Sequence, residues 1–232
     1  MLELFPEGFE ERDAHDGVEL AAYTDAGGEE RLWAAFGTVS SEAVPRDWEN
    51  RWRAFHRPVR VGPLWVGPPW DQPPSDSTAV VIDPGRAFGT GGHPTTRLTL
   101  QLLLDVERGS LLDVGCGSGV LAIAAATLGF SPVTAIDDDP VALAAARRNA
   151  SVNRVSVELR RGDALEGGLP GADAVVANVS WEFAAKLAPH LRARDLIVSG
   201  YLESEQPLAA GYRQVSRLSE NGWAADLLRR EE

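Results

Sequence analysis

Three glycines at alternate positions carry the clearest chemical signal in the chain. Gly115, Gly117 and Gly119 follow a short apolar run within residues 111–119, which read Leu-Leu-Asp-Val-Gly-Cys-Gly-Ser-Gly. Glycine adopts positive φ readily and lets a ligand approach bare backbone, which a Cβ would obstruct. The apolar, alanine-rich residues 120–128 predict a helix that ends at Gly129. Because the first amides of such a helix attract polar ligands, the segment predicts a strand, a ligand-binding turn and a helix.

The spacing of the glycines selects the kind of ligand. A dinucleotide fingerprint has its third glycine five positions after the first, whereas this chain has Val120 there and Gly119 one position earlier. A second predicted strand, residues 132–136, leads into Asp137. An acidic side chain about 20 residues beyond such a loop is suited to bind ribose hydroxyls. This combination resembles the class I methyltransferases, whose ligand is S-adenosylmethionine; a glycine-rich turn without any ligand is the alternative.

A second loop rich in unusual residues precedes a predicted helix at residues 97–106. It spans residues 83–96 and contains His93, followed by Pro94, Thr95 and Thr96. Either threonine can cap the helix, whose amides would then face the same crevice as the glycine loop. His93 has the chemistry of a catalytic base, but a histidine in a bent loop before a proline is more typical of a hydrogen-bonding brace.

The remaining chain alternates strands with helices and ends in a hairpin. The pattern predicts helices at residues 141–149 and 181–190, strands at 79–82, 155–160, 174–178 and 196–199, and a closing hairpin at 213–218 and 223–228. This order predicts an α/β fold: a Rossmann-like, mostly parallel, doubly wound sheet with a C-terminal antiparallel hairpin. Asp163 follows the strand at residues 155–160 and is suited to reach an adenine amino group. Asn178 is the last residue of the strand at 174–178.

Taken together, four segments resemble the PrmA-type methyltransferases, which modify bacterial ribosomal protein L11. The segments are residues 87–91 (Ala-Phe-Gly-Thr-Gly), 93–96 (His-Pro-Thr-Thr), 113–119 and 176–178 (Val-Ala-Asn). The resemblance implies a cofactor site formed by Thr96, Gly115, Asp137 and Asn178, to which we add Gly117 and Asp163. It also implies methyl transfer to lysine and amino-terminal amines.

The resemblance also assigns roles around the acceptor. We expect Asn178 and the backbone after it to accept hydrogen bonds from the amine and to aim its lone pair, which makes Asn178 the candidate catalytic residue. Phe88 and Trp181 are candidates for the walls of the acceptor pocket, and core packing is the alternative for both.

Composition limits the partners. The 232 residues carry a net charge of −12, which opposes direct nucleic-acid binding and favours a basic protein partner. We expect no membrane span, a cytoplasmic location and a monomer. Cys116 is the only cysteine, which excludes an intrachain disulfide and a cysteine-based zinc cluster, and we expect no metal site.

The amino-terminal region departs from the family pattern. We expect residues 1–45, with strands at 9–14 and 18–24 and a helix at 31–36, to form a small α+β region that resembles a shortened ferredoxin-like recognition module. Residues 46–74 are expected to form a linker helix from Asp47 and a proline- and tryptophan-rich segment, and residues 75–232 the cofactor domain. Because the shortened module leaves the acceptor in doubt, two alternatives stay open: a methyltransferase for a small molecule or another acceptor, and a noncatalytic adenosyl-binding partner protein.

Overall fold

A computed structural model describes residues 10–14, 17–21, 26–37, 39–40, 56–83, 91–206 and 209–231. The chain divides into two compact units, Met1–Arg51 and Trp52–Glu232. In the first unit, strands β1 (Glu10–Ala14) and β2 (Gly17–Ala21) pair antiparallel, with Ala14 opposite Gly17. They are followed by helix α1 (Ala26–Phe36). These elements match the predicted strands and extend the predicted helix toward its start.

The second unit begins with a small sheet that the sequence patterns did not predict in full. Strand β3 (Val59–Val61) pairs antiparallel with β4 (Leu64–Gly67), which pairs parallel with β5 (Thr78–Val81). Only β5 was predicted, because β3 and β4 are short and lie among prolines and glycines. Every residue of β4 is nevertheless buried. The helix predicted from Asp47 lies outside the described residues.

In the part of the chain that the structure describes, the main sheet has seven strands. Its strands are β6 (Leu111–Val114), β7 (Val133–Asp137), β8 (Glu158–Arg161), β9 (Ala174–Asn178), β10 (Asp195–Leu202), β11 (Tyr212–Glu220) and β12 (Trp223–Arg230). The spatial order is β11-β12-β10-β9-β6-β7-β8. The pairs from β10 to β8 are parallel, whereas β12 pairs antiparallel with both β10 and β11. The predicted fold class, a mostly parallel sheet closed by an antiparallel hairpin, is confirmed.

Helices and apolar clusters cover both faces of this sheet. The helices are α2 (Pro94–Leu104), α3 (Val120–Thr127), α4 (Pro140–Asn153) and α5 (Trp181–Leu187), the last continued by a 3-10 turn (Ala188–His190). One cluster includes α3, whose residues 120–125 are all buried, and the other includes Ala184 and Leu187 of α5. Central strands buried on both faces are mainly apolar in sequence, which explains why β9, and β6 despite Asp113, were recognised from the sequence.

Among the described residues, no helix is long and apolar enough to span a membrane.

Candidate functional site

Three adjacent strands of the main sheet end at the same level. Val114 of β6 lies opposite Ala177 of β9 and Ile136 of β7, so the next residues on these strands are Gly115, Asn178 and Asp137. The chain passes from β6 outward to β7 and β8 and then returns to β9 on the other side of β6. Ligands of open α/β sheets bind at the carboxyl ends of the strands where the order reverses in this way.

The glycine loop has the backbone that its sequence predicts. Gly115, Gly117 and Gly119 have φ of 69°, 53° and 81°, a region in which residues with a Cβ are strained. Gly119 is the N-cap of α3. The Gly115 N–H donates to the Ile136 carbonyl at 2.9 Å. Gly115 therefore follows the last residue of β6 directly and begins the turn.

Asp137 joins the end of β7 to this loop. Its Oδ2 accepts from the Gly117 N–H at 2.8 Å and its Oδ1 accepts from the Asp139 N–H at 3.0 Å. Because a carboxylate oxygen has a second acceptor site, Asp137 can hold the loop and accept from a ligand hydroxyl at the same time. The side chain is only partly buried, as a ligand-facing group must be.

A buried carboxylate lies beneath the loop. Asp113 Oδ2 accepts from the Ala122 N–H at 3.0 Å. This N–H belongs to the first turn of α3, where backbone N–H groups have no partner within the helix. Asp113 Oδ1 is buried and has no hydrogen-bond partner in the described structure. Burial, and to a smaller extent the neighbouring Asp137, raises the pKa of Asp113 to about 7. Burial also raises the pKa of Cys116, which keeps that thiol protonated and unreactive.

Two asparagines of α4, which the sequence analysis did not identify, brace the site. The Asn149 Nδ2 donates to the Ser118 carbonyl at 2.9 Å, and its Oδ1 accepts from the Asp83 N–H at 3.0 Å. Asn153, one turn later, bonds both the N–H and the carbonyl of Val81. The signal in the sequence was a pair of asparagines four residues apart on an alanine-rich helix.

The first turn of α2 contains Thr96 and His93. His93, and not Thr95 or Thr96, is the N-cap: its Nδ1 accepts from the Thr95 N–H at 3.4 Å. Its ring lies edge-on to Trp223, with centroids 4.9 Å apart. Partial burial, followed by the charge of Arg97, lowers the pKa of His93. These contacts favour a role for His93 as a hydrogen-bonding brace over a role as a catalytic base.

Thr96 lies at the third position of α2 and is fully buried, and its Oγ1 has no hydrogen-bond partner in the described structure. An unpaired buried hydroxyl costs free energy unless a ligand supplies its partner.

The other predicted site residues lie around the same edge of the sheet. Asn178 is partly buried, and Ser180 caps α5 by accepting from the Phe183 N–H at 3.3 Å. Asp163 is exposed beyond β8, and its Oδ1 accepts from the Leu165 N–H at 2.8 Å. Trp181 packs against the apolar cluster beneath α5, which favours its packing role. Phe88 lies outside the described residues.

The residues present suit S-adenosylmethionine. The loop is exposed at Gly115 and partly exposed at Gly117, Asp137 has spare acceptor capacity beside it, and the Thr96 hydroxyl has no partner among the described residues. S-adenosylmethionine has ribose hydroxyls, a nucleoside base and a charged amino acid portion. These groups suit a site that combines hydrogen-bond acceptors, donors and accessible backbone.

The chain is similar to proteins of known family. A family model described as ribosomal protein L11 methyltransferase (PrmA) matches residues 10–230. A ribosomal protein L11 methyltransferase of Heliobacterium modesticaldum is 39% identical over 219 residues, which are 85% of this chain and 68% of the relative. One of Pelobacter propionicus is 40% identical over 220 residues, 83% of this chain and 68% of the relative.

A solved structure gives the same result. The crystal structure of a ribosomal protein L11 methylase from Lactobacillus delbrueckii subsp. bulgaricus superposes with a TM-score of 0.68 and 30% identity, covering 76% of this chain and 100% of the other. Since the family model spans nearly the whole chain and the mostly parallel sheet with its antiparallel hairpin is the predicted methyltransferase fold, this chain belongs to the ribosomal protein L11 methyltransferase (PrmA) family.

Proposed function

We propose that this protein methylates lysine side chains and the amino-terminal amine of ribosomal protein L11 or a related basic protein, with S-adenosylmethionine as methyl donor. The observation that carries the proposal is the common level of Gly115, Asp137 and Asn178 on three adjacent strands. The relatives named above are L11 methyltransferases, which supports this acceptor over a small molecule and enzymatic activity over a noncatalytic adenosyl-binding role.

The cofactor site is proposed residue by residue. Asp137 accepts from the ribose hydroxyls while it holds the Gly117 amide, and Asp163 accepts from the adenine amino group. The buried Thr96 hydroxyl forms a hydrogen bond with the cofactor. Gly115 and Gly117 leave space for the cofactor to contact the backbone closely. When bound, S-adenosylmethionine would supply an activated methyl group on its sulfonium: the amine nitrogen attacks the methyl carbon in line, the carbon–sulfur bond breaks, and S-adenosylhomocysteine leaves.

Asn178 is proposed to position the acceptor amine. A lysine has a pKa of about 10.4, so removing its proton at pH 7 costs roughly 4 to 5 kcal/mol. A desolvated pocket lowers this cost because it disfavours the ammonium form. The Asn178 Oδ1 and the carbonyls after it would then accept from the amine N–H groups and fix the direction of its lone pair. Thus the protein contributes mainly orientation, and the His93 brace is not required as a base.

The remaining assignments are proposals of the same kind. Residues 1–45 would contact the protein substrate, residues 46–74 would connect this region to the cofactor domain at 75–232, and the protein would act as a monomer in the cytoplasm, where ribosomal proteins are assembled.

The proposal is tested by labelling. The purified protein is incubated with methyl-labelled S-adenosylmethionine and either purified L11 or the small-molecule fraction of a bacterial cell lysate. We expect label on L11, at lysines and the amino terminus. Label only in small molecules would support the alternative acceptor class, and binding of the cofactor without any transfer would support the noncatalytic role.

The same assay tests Asn178. Asn178→Ala is expected to reduce the rate of transfer at least 10-fold while cofactor affinity, measured by calorimetry, stays within about threefold. Equal losses of transfer rate and cofactor affinity would assign Asn178 to the cofactor instead.

A further inference from the structure

Gly200 lies next to the proposed catalytic segment, on the neighbouring strand. In β10, Ser199 pairs with Asn178, and the pairing of β10 with β12 is irregular between Ser199 and Tyr201. Gly200, the residue at this bulge, has φ of 102°. A bulge of this kind re-aims the strand and frequently lies beside an active site.

The backbone of Val179 occupies the space that a side chain at Gly200 would need. A Cβ on Gly200 would overlap the Val179 carbonyl oxygen and would lie 2.7 Å from its carbonyl carbon and 3.0 Å from its nitrogen. All three atoms are backbone, so they cannot yield by a rotamer change. The Val179 peptide, which directly follows Asn178, is therefore held against β10 because residue 200 has no Cβ.

The side chain of Val179 meets a second glycine. A Cβ on Gly115 would lie 2.9 Å from Val179 Cγ1, so Val179 is close to the glycine loop on one side and to β10 on the other. A side-chain atom can move, in contrast to the peptide that faces Gly200. Val179 thus links the cofactor loop to the strand behind the proposed acceptor site, and Gly200 is the more rigid of its two contacts.

We propose that Gly200 is a positioning residue for methyl transfer. By admitting the Val179 peptide against β10, it fixes the direction of the Asn178 side chain and of the carbonyl groups that follow. The inference rests on the proposed function, because it concerns the orientation of the acceptor amine by this segment. It predicts that a Cβ at residue 200 slows transfer without weakening the cofactor, since displacements of about 1 Å at reacting groups can cost 100-fold in rate.

The test compares Gly200→Ala with Gly211→Ala. Gly211 also has positive φ, 79°, but no atom of the described residues lies within 4 Å of a Cβ built there. Both variants therefore strain the backbone, and only Gly200→Ala displaces Val179. The transfer rate to purified L11, the cofactor affinity by calorimetry and the NMR signal of the Asn178 side-chain amide are measured for each, with Asn178→Ala used to assign that signal.

We expect Gly200→Ala to shift the Asn178 amide signal and to lower kcat at least 10-fold, with cofactor affinity within about threefold of the parent. Gly211→Ala should leave the signal, kcat and affinity close to the parent values. If the Asn178 signal and kcat respond alike in the two variants, strain alone explains the effect and the positioning role is wrong.

Two further outcomes are distinguishable. If the parent protein transfers no methyl group to L11, the proposed function fails, and the Asn178 signal alone decides the positioning role. If Gly200→Ala does not fold, Val179→Gly replaces it, because a glycine loosens the same peptide from the other side of the contact. That variant should lower kcat several-fold, and an unchanged kcat would overturn the inference.

Discussion

At the scale of single residues, Asp137 combines structure and binding in one carboxylate. It holds two backbone amides, those of Gly117 and Asp139, and we assign it the ribose hydroxyls. Asp137→Ala removes both contributions, so we expect S-adenosylmethionine affinity to fall at least 10-fold, or about 1.4 kcal/mol. Calorimetric titration measures the change.

The neighbouring acid provides the matched control. Asp138 is exposed, and Asp138→Ala should leave cofactor affinity within about twofold. An affinity loss of the same size in both variants would point to the general negative charge of residues 137–139 and would remove Asp137 from the ribose site.

Asp113 should make stability depend on pH. Its pKa is near 7 in the folded chain and 3.8 as the reference, so the folded state retains a proton that the unfolded state loses above about pH 4. The protonated Asp113 therefore makes its full contribution to the free energy of unfolding below pH 4. This contribution is lost as pH rises toward 7, by about 1.4 kcal/mol per pH unit. Asp113→Asn abolishes this titration.

We expect chemical denaturation between pH 4 and 8 to show a shallower fall in the free energy of unfolding for Asp113→Asn than for the parent. Asp226, another buried carboxylate whose pKa is raised by burial, is present in both proteins and cancels in the comparison. Identical slopes would show that Asp113 is ionised in the folded protein at pH 5 to 7.

At the scale of elements, the C-terminal hairpin anchors the helix that contains Thr96. Arg97 of α2 donates to both carboxylate oxygens of Glu220 in β11, at 2.6 and 3.1 Å, and also to the Gly92 carbonyl. The two side chains are 22% and 39% exposed, so solvent screens the pair only in part. The edge contact between His93 and Trp223 joins the same two elements.

Glu220→Gln should loosen this connection. We expect a loss of about 1 kcal/mol of stability, which corresponds to a melting temperature lower by roughly 2 to 4 °C. Cofactor affinity should fall a few-fold, because Thr96 belongs to the displaced turn. The comparison variant is Asp76→Asn, which breaks the more exposed Arg60 pair (51% and 68% exposed) and should change neither quantity as much. Equal cofactor affinity in the two variants would show that the hairpin does not influence the site.

Elements with strong local signals were predictable from sequence. The buried strands β6 and β9, the glycine loop and the closing hairpin carry apolar runs or turn residues that determine their conformation locally. Strands β3 and β4 were not predicted because their stability comes from burial against other parts of the chain and not from their own pattern. The ends of β10 were underestimated for a related reason: Gly200 interrupts the apolar run, and the bulge that continues the strand depends on β12.

The site divides in the same way. Asp137 and Asn178 are recognisable because strand ends and acidic or amide residues coincide in the sequence. The bracing of Asp83 by Asn149 joins residues 66 positions apart, and the contact of Gly200 with Val179 joins residues 21 positions apart, so no local pattern encodes either of them. The N-cap role of His93 is local, but threonine is the more usual N-cap residue, which favoured Thr95 and Thr96 in the sequence.

At the scale of the whole molecule, charge supports a basic protein substrate. The chain has 34 acidic and 22 basic side chains, for a net charge of −12, and such a field speeds association with a partner of opposite sign.

Salt should separate this long-range attraction from binding at the cofactor site. Raising ionic strength from 0.1 to 1 M shortens the screening length from about 10 to about 3 Å. We expect KM for the protein substrate to rise several-fold over this range. The affinity for S-adenosylmethionine should change less than twofold, because its proposed contacts are short hydrogen bonds at Asp137, Thr96 and the glycine loop. Steady-state kinetics at saturating cofactor, with calorimetry for the cofactor alone, measure the two responses. A KM that stays constant or falls with salt would show that apolar contacts, and not charge, recruit the acceptor.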